Sequence, residues 1–135
     1  MEKIPAPDIE ALIIEDEIDI CYLLSGILRK KKLQTAYVTS LNEAEKTLTR
    51  QNPYILFLDN HLPDGYGVDF ISEVKKEHPY TKVVMITAHD TPADKEKALR
   101  RGADYFIGKP FSQDVINKTI DRLMDEIGSY RQMAS

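Results

Sequence analysis

Apolar residues along the chain fall into two alternating patterns. Short continuous runs occupy residues 11–14, 35–38, 54–58, 83–87 and 105–107, and between them apolar positions recur every three or four residues. A continuous run suits a parallel strand covered on both faces, while the wider spacing marks one face of an amphipathic helix. The first helical stretch carries Ile20, Leu24, Ile27 and Leu28 and ends in Arg29-Lys-Lys-Lys32, cations that suit the negative end of the helix dipole. Ser40-Leu-Asn-Glu43 reads as a capping box ahead of the stripe Leu41, Ala44 and Leu48. Val68, Ile71 and Val74 mark a third helix, stopped by His78-Pro79. Thr91-Pro92 places a cap residue and then proline at the first helical position, and Gly102 closes that fourth helix. Ser112 caps a fifth, with the stripe Ile116, Ile120, Leu123 and Ile127, and Gly128 is expected to end it.

Strand followed by helix, repeated along the whole chain, predicts a doubly wound α/β fold. Right-handed crossovers place helices on both faces of a five-stranded parallel sheet, a flavodoxin-like (βα)5 architecture. In open sheets of this kind ligands bind beyond the carboxyl ends of the strands. The chemistry should therefore follow each strand directly.

Composition narrows the functional classes. At 135 residues the chain amounts to one domain with its own core. Lys and Arg total 18 against 22 Asp and Glu, a net charge of −4 that speaks against the broad basic surface of a nucleic-acid binder. The single cysteine, Cys21, excludes a disulfide framework and a Cys-rich zinc site; beside Ile20 and Leu23-Leu24 it reads as a buried, inert thiol. Residues 1–8 hold no apolar signal core and no apolar run is long enough to cross a bilayer. The expectation is a cytoplasmic protein without membrane contact.

The residues at the strand ends form a constellation. Glu15-Asp16-Glu17 follow the first strand, Asp59 the third, Thr87-Ala88 close the fourth, and Lys109-Pro110 follow the fifth. Singly, each has an ordinary reading as a turn acid, a β-branched strand residue or a loop cation. At successive strand ends they converge on one edge of the sheet. Carboxylates hold a hard divalent cation through oxygen, and Mg2+ prefers such ligands. A carboxylate can also act as nucleophile toward phosphorus, with a cation and an ammonium neutralising the transferring oxygens.

At these residues the chain resembles the receiver domain of two-component response regulators, the CheY-like superfamily. The matching stretches are Leu12-Ile-Ile-Glu-Asp-Glu17, Leu58-Asp-Asn-His-Leu-Pro-Asp-Gly-Tyr-Gly67, Val84-Met-Ile-Thr-Ala88 and Gly102-Ala-Asp-Tyr-Phe-Ile-Gly-Lys-Pro-Phe111. The resemblance divides the chain into an extension over 1–8, a receiver domain over 9–128 and a tail over 129–135. It implies that Asp59 accepts a phosphoryl group from a histidine kinase, and that Asp16, Glu15 and Asp59 hold Mg2+, or Mn2+ in its place. Asp16 would bind directly and Glu15 through water, where many family members carry aspartate. His61 would supply only its backbone carbonyl to the metal. Thr87 and Lys109 would bind the phosphoryl oxygens, Phe106 would be the aromatic switch with Tyr105 as its rival in register, and the Lys109–Pro110 bond would be cis. Such a domain is not an enzyme beyond its own phosphorylation and dephosphorylation. The implied partners are a sensor histidine kinase or phosphotransfer protein, a downstream effector or separate output domain, and a second copy in a homodimer.

Other readings stay open. A receiver-like interaction module that is never phosphorylated would share the fold. A flavodoxin-like cofactor binder would need a phosphate-cradling first loop, where this chain has three acids. An aspartate-nucleophile phosphatase often carries a second aspartate two residues on, where this chain has His61. His61 and His89 read as two exposed loop histidines; a sharper reading has them flank the phosphoryl group. His78 reads as structural. Lys95, Lys97, Arg100 and Arg101 on the fourth helix and Asp114, Asp121 and Asp125 on the fifth are a solvated surface or complementary halves of a dimer contact. A stand-alone regulator and a fragment of a longer one are both compatible with the chain.

Overall fold

The computed structural model describes the backbone of residues 8–134 and the side chains of residues 8–128. In chain order the elements are β1 (Ala11–Ile14), α1 (Ile18–Lys30), β2 (Thr35–Val38), α2 (Leu41–Leu48) and β3 (Ile55–Asp59). A short ribbon, β4 (His61–Leu62) and β5 (Gly65–Tyr66), precedes α3 (Gly67–Glu77). Then follow β6 (Lys82–Thr87), α4 (Pro92–Arg101), β7 (Tyr105–Gly108) and α5 (Gln113–Ala134). No helix among the described residues is long and apolar enough to cross a membrane.

One five-stranded sheet has the order β2-β1-β3-β6-β7, all pairs parallel. The central strands β1 and β3 are buried at every position, which explains their unbroken apolar runs. Side chains alternate between two cores. Ala11, Ile13, Ile55, Phe57, Val84 and Ile86 pack toward Leu24 and Leu28 of α1 and Ile116, Ile120 and Leu123 of α5. Leu12, Ile14, Leu56, Leu58, Val83 and Met85 pack toward Leu48 of α2, Ile71 and Val74 of α3 and Ala98 of α4. Cys21 lies in the first core with no exposure, and burial pushes its thiol up to about 11, so it is protonated and unreactive at neutral pH.

The expected punctuation is present. Ser40 Oγ accepts the Glu43 N–H at 3.2 Å, Thr91 Oγ1 accepts the Asp94 N–H at 3.1 Å, and Ser112 Oγ accepts the Val115 N–H at 3.1 Å. Gly102 ends α4 in the left-handed region at φ 114°. Gly128 does not end α5, which continues to Ala134. A glycine stops a helix by turning left-handed, as Gly102 does; Gly128 keeps helical geometry, so its absent side chain only weakens local propensity. His78 is structural, as expected, with its Nδ1 2.9 Å from Asn52 Oδ1.

The β4–β5 ribbon was not anticipated, because two-residue strands are too short to show a period. It carries a cap for a different element. The Asp64 carboxylate accepts the free amides of Leu41 and Asn42 at 2.9 and 2.8 Å, at the positive end of α2. Those amides hold the Asp64 carboxyl below its ordinary value. Replacing Asp64→Ala should lower the urea midpoint at neutral pH with an unchanged denaturant slope, since a cap is lost without a change in core area. An unchanged midpoint would mean that water satisfies those amides equally well.

Candidate functional site

The strands end level with one another, and this brings the polar residues together. Asp59 is the last residue of β3, paired across to Ile86 and 4% exposed. The Glu15 N–H donates to Val38 O at 3.1 Å, which extends the β1–β2 pairing by one residue and turns the Glu15 side chain inward to zero exposure. Asp16, next in line, is exposed. Thr87 closes β6 and is 1% exposed. Lys109 follows β7, donates its N–H to Thr87 O at 2.7 Å, and leads into a cis bond to Pro110, as the resemblance implied.

The Lys109 ammonium is shared among three acids. Nζ lies 2.7 Å from Glu15 Oε1, 3.2 Å from Glu17 Oε1 and 3.5 Å from Asp59 Oδ1. Burial works against the charged lysine, but Glu15, Asp59 and Glu17 together outweigh it and raise its proton affinity. Burial also pushes the Glu15 carboxyl up to about 7; Lys109 opposes that rise and Asp59 adds to it. The site is thus short of positive charge.

The donor set fits a hard divalent cation. Glu15, Asp16 and Asp59 each offer one carboxylate oxygen, and these lie within 4.8 Å of one another. Two ligands on one octahedral Mg2+ sit about 3–4 Å apart, so small side-chain movements or one bridging water close the gap. Glu15 Oε1 is buried beside Lys109 yet makes no aligned hydrogen bond, which leaves it lone-pair capacity.

Neighbouring residues shape the rim. Thr87 Oγ1 accepts the His89 N–H at 3.1 Å, a local turn that leaves the hydroxyl proton free to donate. A cavity of about 250 Å3 beside it is lined by Asn60, Thr87, Met85, Lys97, Ala98 and Phe106. Strand alternation separates the two aromatics of β7. Phe106 packs with the α2–α4 core and lines this cavity, whereas Tyr105 packs with the α1/α5 core and donates its hydroxyl to Glu126 at 2.9 Å. His61 and His89 are both exposed, and they are in contact, with ring centroids 4.4 Å apart.

Some residues escaped sequence reasoning. Asn60 clamps the loop after Asp59: its N–H donates to Ile86 O at 3.3 Å, its O accepts the Gly67 N–H at 2.8 Å and its Oδ1 accepts the Val68 N–H at 3.0 Å. Gly67 is there for closeness, since a Cβ would meet the Asp59 carbonyl oxygen at 2.2 Å. The one signal for either was its place in the matching stretch from Leu58 to Gly67. Within the chain, Arg101 of α4 pairs with Asp69 of α3 and Asp121 of α5 with Lys31 of α1.

The model of the response regulator receiver domain family matches residues 11–121. The chain belongs to that family. Among curated relatives of this receiver domain, the response regulator protein PilR of Pseudomonas aeruginosa is 39% identical over 101 residues, covering 75% of this chain and 23% of PilR. The phosphate regulon transcriptional regulatory protein PhoB of Escherichia coli is 32% identical over 118 residues, covering 86% of this chain and 52% of PhoB. The chain therefore spans about half or less of the length of these relatives. Among solved structures, the beryllofluoride-activated NtrC4 receiver domain dimer superposes with a TM-score of 0.81 at 34% identity, covering 86% of this chain and 96% of that one. The receiver domain of NtrX from Brucella abortus gives 0.78 at 33% identity, covering 85% of this chain and 98% of that one.

Proposed function

We propose that this receiver domain takes a phosphoryl group onto Asp59 from the phosphohistidine of a sensor histidine kinase or phosphotransfer protein. The observation that carries this is the pairing of a nearly buried Asp59 with an ammonium 3.5 Å away and with two further carboxylates within cation-binding distance. An Asp59 carboxylate oxygen attacks phosphorus, the new O–P bond forms as the N–P bond breaks, and the imidazole leaves with the bonding pair and takes up a proton. Glu15, Asp16, Asp59 and the His61 backbone carbonyl would hold Mg2+, or Mn2+, and such an ion would supply positive charge for the transferring oxygens. Lys109 turns from Glu15 toward the phosphoryl group, and Thr87 donates its hydroxyl to it. Phosphate brings close to two negative charges and three acceptors, and these favour one arrangement of Thr87 and Lys109. Phe106 then moves into the cavity beside Thr87, and the surface of α4, β7 and α5 changes for its reader. That reader is a downstream effector, an output domain or a second copy of the chain in the cytoplasm. Residues 9–128 form the unit that does this, flanked by 1–8 and 129–135. The domain has no substrate other than its own Asp59 and the phosphate it carries.

Intact mass after incubation with a small phosphodonor tests this reading. One phosphoryl adduct is expected on the native chain with Mg2+, and none without Mg2+ or in Asp59→Ala. No adduct under conditions that label a known receiver would favour the unphosphorylated interaction module.

A further inference from the structure

Three exposed rings form a continuous stack at the rim of the cavity beside Asp59. Tyr66 of β5 meets His61 of β4 edge-on with centroids 5.4 Å apart, and His61 lies over His89 of the β6–α4 loop at 4.4 Å with planes tilted by 36°. Among the described residues neither of these two imidazoles makes a side-chain hydrogen bond to the protein, whereas His78 is engaged by Asn52. Two exposed imidazoles, one from β4 and one from the β6–α4 loop, thus lie in contact at the surface.

We propose that His61 and His89 form a binding site for a borderline transition-metal ion of the Ni2+, Cu2+ or Zn2+ class, separate from the acidic cluster. The chemistry of the donors separates the two sites. Imidazole nitrogen selects late first-row ions, and carboxylate oxygen selects Mg2+. Metal–nitrogen bonds of about 2.0–2.1 Å place two nitrogens on one ion about 3.3 Å apart. Ring centroids 4.4 Å apart put the two imidazoles within reach of one ion once a ring turns so that its nitrogen faces the other. Both rings are exposed, so rotation of either about its outer torsion can aim the two lone pairs at one point. Tyr66 supports His61 from behind, Asp69 and Asp94 on the same cavity wall favour a cation, and Lys97 opposes one. Water completes the coordination. Two imidazoles make an exchangeable site rather than a structural one. A bound ion ties the β4–β5 ribbon to the loop whose His89 N–H holds Thr87 Oγ1.

Calorimetric titration of the full chain with Ni2+, and separately with Zn2+, in saturating Mg2+ tests the site. One Ni2+ per chain is expected to bind despite the saturating Mg2+, with affinity reduced at least about 10-fold in His61→Ala and in His89→Ala. His78→Ala should bind as the native chain does. In imidazole NMR spectra of the native chain, the His61 and His89 ring signals should shift on adding Zn2+ and broaden on adding Ni2+, and the His78 signals should do neither. That readout is independent of how well the variants fold. Equal affinity in the native chain and both variants would overturn the proposal. So would displacement of Ni2+ by Mg2+, or loss of binding in Asp16→Asn with both histidines in place.

Discussion

Gly67→Ala should destabilise this receiver domain by about 3 kcal/mol, the upper end of what an extra methyl group costs in a packed interior. A Cβ at this position would lie 2.2 Å from the Asp59 carbonyl oxygen, 3.0 Å from Leu58 Cγ and 3.1 Å from the Asp59 carbonyl carbon. The obstacle is backbone, and that backbone is the last residue of β3, held in register by β6. It cannot swing aside as a long side chain would. The start of α3 must move instead, and this breaks the 2.8 Å bond from the Gly67 N–H to Asn60 O. Because the crowded carbonyl belongs to Asp59 and the broken bond holds the loop behind it, phosphoryl labelling should fall together with stability. Gly128→Ala is the opposite case. A Cβ there meets nothing within 4 Å, so the change should raise stability by up to about 1 kcal/mol through helix propensity. Urea denaturation of both variants checks the pair; a Gly67→Ala chain as stable as the native one would show that α3 shifts freely.

Glu15→Gln should be more stable than the native chain by about 2 kcal/mol near pH 8 without Mg2+, and no more stable near pH 5. Burial raises the Glu15 carboxyl from an ordinary 4.5 to about 7. A group whose folded value lies above its unfolded value contributes stability fully below the unfolded value and loses it as pH rises through the folded one. For Glu15 that loss runs from about 4.5 to about 7. Above it the native chain carries a buried carboxylate that Lys109 only partly compensates, whereas glutamine keeps the neutral shape and does not titrate. Saturating Mg2+ should narrow the gap near pH 8, because a cation among Glu15, Asp16 and Asp59 relieves the same charge. Urea midpoints across this range, with chelator and with Mg2+, decide the matter. Parallel profiles for the two chains would show that Glu15 ionises as an exposed acid does.

What was legible in advance followed from local rules. The runs over β1 and β3 announced strands buried on both faces, and Ser40, Thr91-Pro92 and Gly102 marked helix ends through chemistry confined to neighbouring residues. The strand-end placement of Asp59, Thr87 and Lys109 followed from the fold class. What was missed depended on contacts between distant segments. Nothing in Glu15-Asp16-Glu17 says which acid turns inward; that is decided by one further bond to β2. The cap from Asp64 to α2 spans more than twenty residues, and the contact of His61 with His89 joins two loops. The resemblance placed the switch at Phe106 rather than Tyr105, but that the two rings pack against opposite faces of the sheet came only with the pleat of β7.

The sheet also acts as a partition. Its two faces bury separate sets of side chains that share a backbone and little else. A methyl group removed from Leu24 loosens the α1/α5 layer but leaves the packing of Ile71 and Val74 of α3 untouched. Substitutions can therefore accumulate on the two sides almost independently, so one layer can be reshaped for a new neighbour while the other keeps its packing.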